Sequence, residues 1–143
     1  MARRGAAAVE LALVLMVLLI LIFGTLDVGM LIFRYTVVSQ GARQGARQAI
    51  VRGAMSTKLT KWGPAAYDGT AAGTDEIAQA IAPFLGGLNL NETNISIRWP
   101  NGSNEPERTV RVTVQTTYQP ATLFLFGNPT WAVSAVSTMQ VTH

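Results

Sequence analysis

Cysteine is absent from the 143 residues, and the single histidine, His143, is the last of them. The first absence removes disulfides, thiolate metal ligands, iron–sulfur ligation and Cys nucleophiles. The second leaves no internal imidazole for a Ser-His-acid triad. Metal-ligand clusters and Gly-rich phosphate loops of the required spacing are missing as well, so no metal and no organic cofactor is expected and the chain does not read as an enzyme. Charge is also scarce: 13% of residues are Asp, Glu, Lys or Arg against 49% hydrophobic. That balance excludes a disordered polyelectrolyte. The paired acids Asp75-Glu76 and Glu105-Pro106-Glu107 suit a helix start and a hydrated turn better than acid–base chemistry.

The charge that exists is unevenly placed. Eleven Lys/Arg outweigh eight Asp/Glu for a net +3, and six of the basic residues fall between Arg34 and Lys61. On a helix Arg34 and Arg52 share one side while Arg43 and Arg47 fall on another. No basic stripe results, so nucleic acid is not an expected partner. Cations next to a membrane are the better reading, since anionic head groups attract each by about 1 kcal/mol.

Between Ala6 and Leu26 the chain carries one ionisable group, Glu10, and the apolar run continues through Asp27 to Phe33. About 20 apolar residues at about 1.5 Å each cross a hydrocarbon core, so a transmembrane helix is expected over 6–33. A cleaved secretory signal fits poorly, because the apolar stretch is too long and Gly24-Thr25-Leu26-Asp27 is no small-residue cleavage site. Orientation is contested by the charges. Arg3 and Arg4 precede the run and Arg34, Arg43, Arg47 and Arg52 follow it, which opposes an N-terminus in the cytoplasm, although long domains translocate largely regardless of charge. Glu10 is costly inside lipid, at about 2.5 to 3.5 kcal/mol at mid-bilayer. No basic residue stands three or four positions away to pair with it on its own helix.

The segment Arg3-Arg4-Gly5-Ala6-Ala7-Ala8-Val9-Glu10, followed at once by the apolar run, resembles the processing site of type IV pilin-like precursors. In that superfamily a basic leader ends in Gly, cleavage follows it, and Glu is the fifth mature residue. The resemblance implies a leader of residues 1–5, cleavage between Gly5 and Ala6 by a prepilin peptidase, and pairing of Glu10 with the α-ammonium of an adjoining subunit. More narrowly, RGAAAVELALVL, the Asp27-Val28-Gly29 element and SQGARQGARQA from Ser39 to Ala49 resemble TadE-like minor pilins, or pseudopilins, of tight-adherence (Flp-type) pili. VRVTVQTTYQP and AVSAVSTMQV look like that family's closing strands. Leu11 and Met16 stand where family members often carry an aromatic residue and a Pro, so no Pro kink is carried over. The implied protein is a minor pilin of the cytoplasmic (inner) membrane, single-pass, with its C-terminal domain outside. Its implied partners are the lipid bilayer, the peptidase, other pilin-like subunits and the pilus assembly platform. The alternative is an uncleaved single-span protein with an outer binding or scaffolding domain.

Past the membrane the helix is expected to continue over 34–53, because Leu31, Tyr35, Val38, Ala42, Gly45, Ala49 and Gly53 share one face. That face narrows to small residues. Gly41, Ala42, Gly45 and Ala49 permit close packing, and Gly41 with Gly45 makes a small-xxx-small pair. Residues 54–143 then form a small α+β domain. Gly53 to Gly73 reads as a connector anchored by Trp62, in a membrane belt or in the core, and by Tyr67. Thr74 is placed to cap a short helix with Ile77, Ile81, Phe84 and Leu85 on its buried side and Gly86-Gly87 after it. Alternation at Ile95-Ile97-Trp99, Val110 to Tyr118 and Val133 to Val141, separated by turns at 100–106 and 126–129, predicts an antiparallel sheet of three or four strands. One sheet face should be wet and the other packed on the small-residue helix stripe.

Overall fold

The structure, a computed structural model, describes residues 2–122, 127 and 129–142, with the side chains of residues 2–4 outside that description. The side chains of Arg3 and Arg4, much of the turn expected at 126–129, and His143 therefore lie outside the described residues. One helix, α1, runs over Ala2–Ile50. It contains no proline, and its first half is rich in Leu and Ala, the residues that lose least on entering a helix. After a connector come β1 (Tyr67–Thr70), α2 (Glu76–Ile81), 3-10 turns at Ala82–Phe84 and Leu90–Glu92, β2 (Asn94–Arg98), β3 (Thr109–Tyr118) and β4 (Trp131–Gln140).

The four strands form one antiparallel sheet in the order β1-β2-β3-β4. Its inner face presents Ile95, Ile97, Val110, Val112 and Val114, all buried, and the second half of α1 lies across it with Val38, Ala42, Ala46 and Ala49. Alternation in β3 is strict: Val110, Val112, Val114, Thr116 and Tyr118 point in, as period-2 geometry requires. β3 runs against α1, since Val112 lies beside Gly45 and Tyr118 reaches back to Asp27. β4 returns alongside α1, and beyond it the Thr142 amide donates to the Ile50 carbonyl.

Several details differ from expectation. The segment 67–70 is a strand, not connector: Tyr67 to Thr70 pair with Ile97 to Asn94. Its four residues, Tyr-Asp-Gly-Thr, offer no apolar alternation, and it exists because β2 presents an edge to it. Asp75, not Thr74, is the N-cap of α2, and no side-chain cap bond forms. The Asp75 carboxylate instead accepts from the Tyr67 hydroxyl at 3.1 Å. Ile81 and Leu85 are buried, but Phe84 is 41% exposed because the 3-10 turn at Ala82–Phe84 rotates it outward. Tyr35 is 56% exposed and lies off the packed face of α1, where Val38, Gly41, Ala42, Gly45, Ala46 and Ala49 do the packing. Trp62 is a core residue, only 4% exposed.

Candidate functional site

Three stations along α1 carry the features that bear on function. The first is the free N-terminal part. From Gly5 to Phe23 every residue is exposed, including eleven Leu, Ile, Val and Phe between Leu11 and Phe23. Each contributes about 0.3 to 0.6 kcal/mol to membrane insertion near the helix centre, so together they supply about 5 kcal/mol. That exceeds the roughly 3 kcal/mol for one acid at mid-bilayer, and less is charged near an interface. The segment Ala6 to Phe23 spans about 27 Å at 1.5 Å per residue, close to a hydrocarbon core of about 30 Å. The helix is long and apolar enough to cross a membrane.

Gly5, Ala6 and Glu10 all lie on this free segment, exposed and helical. Glu10 sits on an apolar strip with Leu13, Val14 and Val17. Among the described residues it has no ion-pair partner. An isolated carboxylate in that position is satisfied by something outside the chain or by snorkelling to head groups.

The second station is the junction at Asp27. Its carboxylate accepts from the Tyr118 hydroxyl at 2.9 Å, the Ala121 amide at 2.9 Å, the Thr122 amide at 2.8 Å and the Thr122 hydroxyl. One acceptor-only side chain thus ties the end of β3 and the following turn to the helix. Burial first, and then the Asp27 carboxylate, push the Tyr118 hydroxyl above its ordinary range, so it stays a donor. About two turns further on, Arg34 donates to the Thr117 carbonyl at 2.9 Å and lies 5.0 Å from the centre of the Tyr118 ring, a cation–π contact. The domain therefore meets α1 from about Gly24 onward, inside the hydropathic run 6–33. Sequence reasoning noticed Asp27 only as part of a motif. Its partners are more than 90 residues away, and the one local signal was an acid in an apolar run, which pays for itself only when hydrogen-bonded.

The third station is the packed face. A Cβ at Gly41 would stand 2.5 Å from Leu85 Cδ2, and one at Gly45 would stand 2.8 Å from Ile81 Cδ1 and 3.0 Å from Val112 Cγ1. Glycine is what lets α1 seat this closely on α2 and the sheet, with Ala42 and Ala49 buried beside them. These four residues are grouped, but they lie about 47 to 59 Å along the helix from Glu10 at about 1.5 Å per residue. The end of the helix is closed by Arg52, whose guanidinium lies 4.5 Å over the Trp62 ring and 3.5 Å from the Glu76 carboxylate. The Trp62 amide donates to the Arg52 carbonyl at 2.7 Å, and Asn104 donates to the Trp62 carbonyl at 2.8 Å. Arg43 and Arg47 point outward and are exposed.

Residues 5–47 match the family model described as TadE-like protein. No curated protein and no solved structure matches the chain. The match begins at Gly5 and ends one turn before α1 does, so it takes in the free segment, the Asp27 junction and most of the packed face.

Proposed function

With residues 5–47 a TadE-like segment at the head of a membrane-length helix, we propose that the chain is a minor pilin, or pseudopilin, that takes part in assembling a tight-adherence type pilus from the cytoplasmic membrane. In this reading a prepilin peptidase cuts between Gly5 and Ala6, the helix stays in the bilayer, and the small domain faces outward. The observation that carries it is Glu10: an exposed carboxylate, alone on an apolar strip, five positions beyond Gly5. Removal of residues 1–5 creates an α-ammonium at Ala6, and an axial stagger between neighbouring helices brings that ammonium to another subunit's Glu10. A charge-assisted pair in lipid is strong because water does not compete for either partner. The chain's chemistry is then done to it, at one peptide bond, and it catalyses nothing itself.

The domain also bears on the contested orientation. Arg34 is bound to Thr117 and Tyr118, and Arg52 to Trp62 and Glu76. Both arginines belong to a folded domain, which supports counting them with the translocated part and leaving Arg3 and Arg4 to mark the cytoplasmic end.

A Glu10→Ala change tests the reading. It removes an insertion cost of about 3 kcal/mol at most, so the variant stays in the membrane fraction. Co-isolation with other pilin-like subunits and pilus formation are expected to be lost. A variant that assembles like the parent protein would leave the chain as an uncleaved anchor with an outer binding domain.

A further inference from the structure

The apolar run on α1 is longer than a bilayer needs. Residues 6–33 extend about 42 Å at about 1.5 Å each, against a hydrocarbon core of about 30 Å. A common tilt of about 20° absorbs only about 3 Å of that difference. The domain meets α1 within the excess. A hollow there is lined by Gly24, Asp27, Leu31, Tyr118, Pro120 and Trp131, and the hydrogen bonds to Asp27 hold the end of the sheet at that height on the helix. Beside the domain, Leu26, Val28, Met30, Ile32 and Phe33 of α1 are exposed.

Two limits bracket where the hydrocarbon ends on this side of the molecule. The sheet sets the outer one. Its β1 edge is short and protected by the Asp68–Arg98 pair, but β4 is the last strand on the other side, and among the described residues no backbone hydrogen bond reaches its outer rim. An open sheet edge is not tolerated in hydrocarbon, so the core ends before the strands begin, at about the level of Asp27. The helix sets the inner limit. A core ending at Phe23 would leave Leu26 to Phe33 and the half-exposed Trp131 in water, whereas Trp is a residue enriched at the edge of lipid. The sequence from Tyr118 to Trp131 contains no Asp, Glu, Lys, Arg or His, so no charge opposes contact. Beyond Asp27 the first charges at this end are Arg34 and Glu92, both bonded to Thr117. Arg34 stands about 10 Å past Asp27 along the helix, just beyond an interfacial layer of about 5 to 8 Å, where a cation meets anionic head groups.

We propose that the domain is seated on the bilayer and not held clear of it: the end of the sheet, marked by Asp27, Tyr118, Ala121 and Trp131, lies where hydrocarbon meets head groups, and interfacial lipid covers α1 from Leu26 to Phe33. Lipid is the occupant because this surface is continuous with the exposed apolar face of the spanning part of the same helix. The seating also fixes the far end of the span. With the outer boundary at Asp27, the inner one falls about 20 residues back, near Ala7, and Glu10 lies only about 5 Å inside it. A carboxylate at that depth costs less than one at mid-bilayer.

The absence of cysteine makes the test direct, because a single introduced cysteine is the only thiol for a nitroxide label. Full-length protein carrying Leu18→Cys, Val28→Cys, Ala121→Cys or Thr138→Cys is placed one chain per nanodisc, in phosphatidylcholine with a minority of phosphatidylglycerol, so that no second copy can supply the cover. All these positions are exposed, and Thr138 lies about 23 Å beyond Trp131 along β4 at about 3.3 Å per residue. Collisions of the label with oxygen, which concentrates in hydrocarbon, against those with a water-soluble nickel chelate report its depth. The oxygen-to-nickel ratio should be highest at Leu18 and intermediate at Val28 and Ala121, at least about fivefold above a water-like Thr138. Val28 reads the same height from the helix, so the result survives if the label at Ala121 loosens the clasp. Water-like ratios at Val28 and Ala121 mean that the domain stands clear of the membrane. Shielding of both from oxygen and nickel alike means that protein covers them, and a lipid-like ratio at Thr138 means that the domain lies along the bilayer. Each of these overturns the proposal. The seating rests on the spanning reading of α1 and not on cleavage or the pilus role: a water-like ratio at Leu18 overturns both, whereas Leu18 in lipid with Val28 and Ala121 in water overturns the seating alone.

Discussion

Gly29 and Gly45 share one helix and meet opposite surroundings, so the same substitution should have opposite outcomes. An alanine gains about 1 kcal/mol over glycine in a helix interior. At Gly29 nothing lies within 4 Å of the added methyl, and Gly29→Ala is expected to be neutral or slightly stabilising. At Gly45 the methyl drives into Ile81 and Val112, and overpacking at about 1 to 3 kcal/mol outweighs the helix gain. Denaturant unfolding of both variants in detergent checks the contrast. Asp27→Ala removes the acceptor for four donors at once, so amide exchange at Ala121 and Thr122 should speed up by about an order of magnitude while exchange in β2 stays as it was. At the protected edge, the hydrogen bond from Arg98 holds the Asp68 carboxyl below its ordinary 3.8. A depressed folded value means the contribution is intact above 3.8 and disappears as pH falls through the lower folded value. Amides of β1 should therefore keep their protection at pH 5 and lose it only in stronger acid, with Asp68→Asn removing the pH dependence. Little of this residue-scale detail was readable beforehand. The glycines were, because small residues at helical spacing mark a close approach, whereas the partners of Asp27 depend on a chain reversal that local patterns do not encode.

At the scale of elements, α1 is two helices' worth of environment in one rod. From Gly5 to Phe23 it is exposed among the described residues, and from about Gly24 it is the spine of a domain. Leu18→Arg places a charge at the middle of the free segment and should cost about 2.5 to 3.5 kcal/mol of insertion, shifting the protein out of the membrane fraction by roughly a hundredfold. Arg43→Ala, on the exposed face above the domain, should leave fractionation unchanged. Both helix and strands were readable from periodicity, because β3 alternates without a break and α1 is uninterrupted. β1 was not, since its pairing is imposed by β2 and its own four residues carry no alternation. Phe84 and Tyr35 were misplaced for a related reason: a 3-10 turn and a change of packed face shift the phase of an otherwise regular count.

For the molecule as a whole, the stations combine into one layout. An apolar rod of about one bilayer's length carries a lone acid near its start, a hydrogen-bonded clasp at its exit and a sheet whose long edge is open. The small-residue face seats the second half of the rod directly on α2 and the sheet. The fold class and the TadE-like segment could be read from residues and motif together. The open edge could not, because which strand is last in a sheet is a property of topology.

The most direct check on this account is the N-terminus of the protein recovered from the membranes of cells carrying the pilus system, read by intact mass and Edman sequencing. A mature chain beginning at Ala6, five residues shorter than the translated one, is the predicted result. A membrane-bound chain that retains Arg3 and Arg4 while the pilus assembles normally would contradict it.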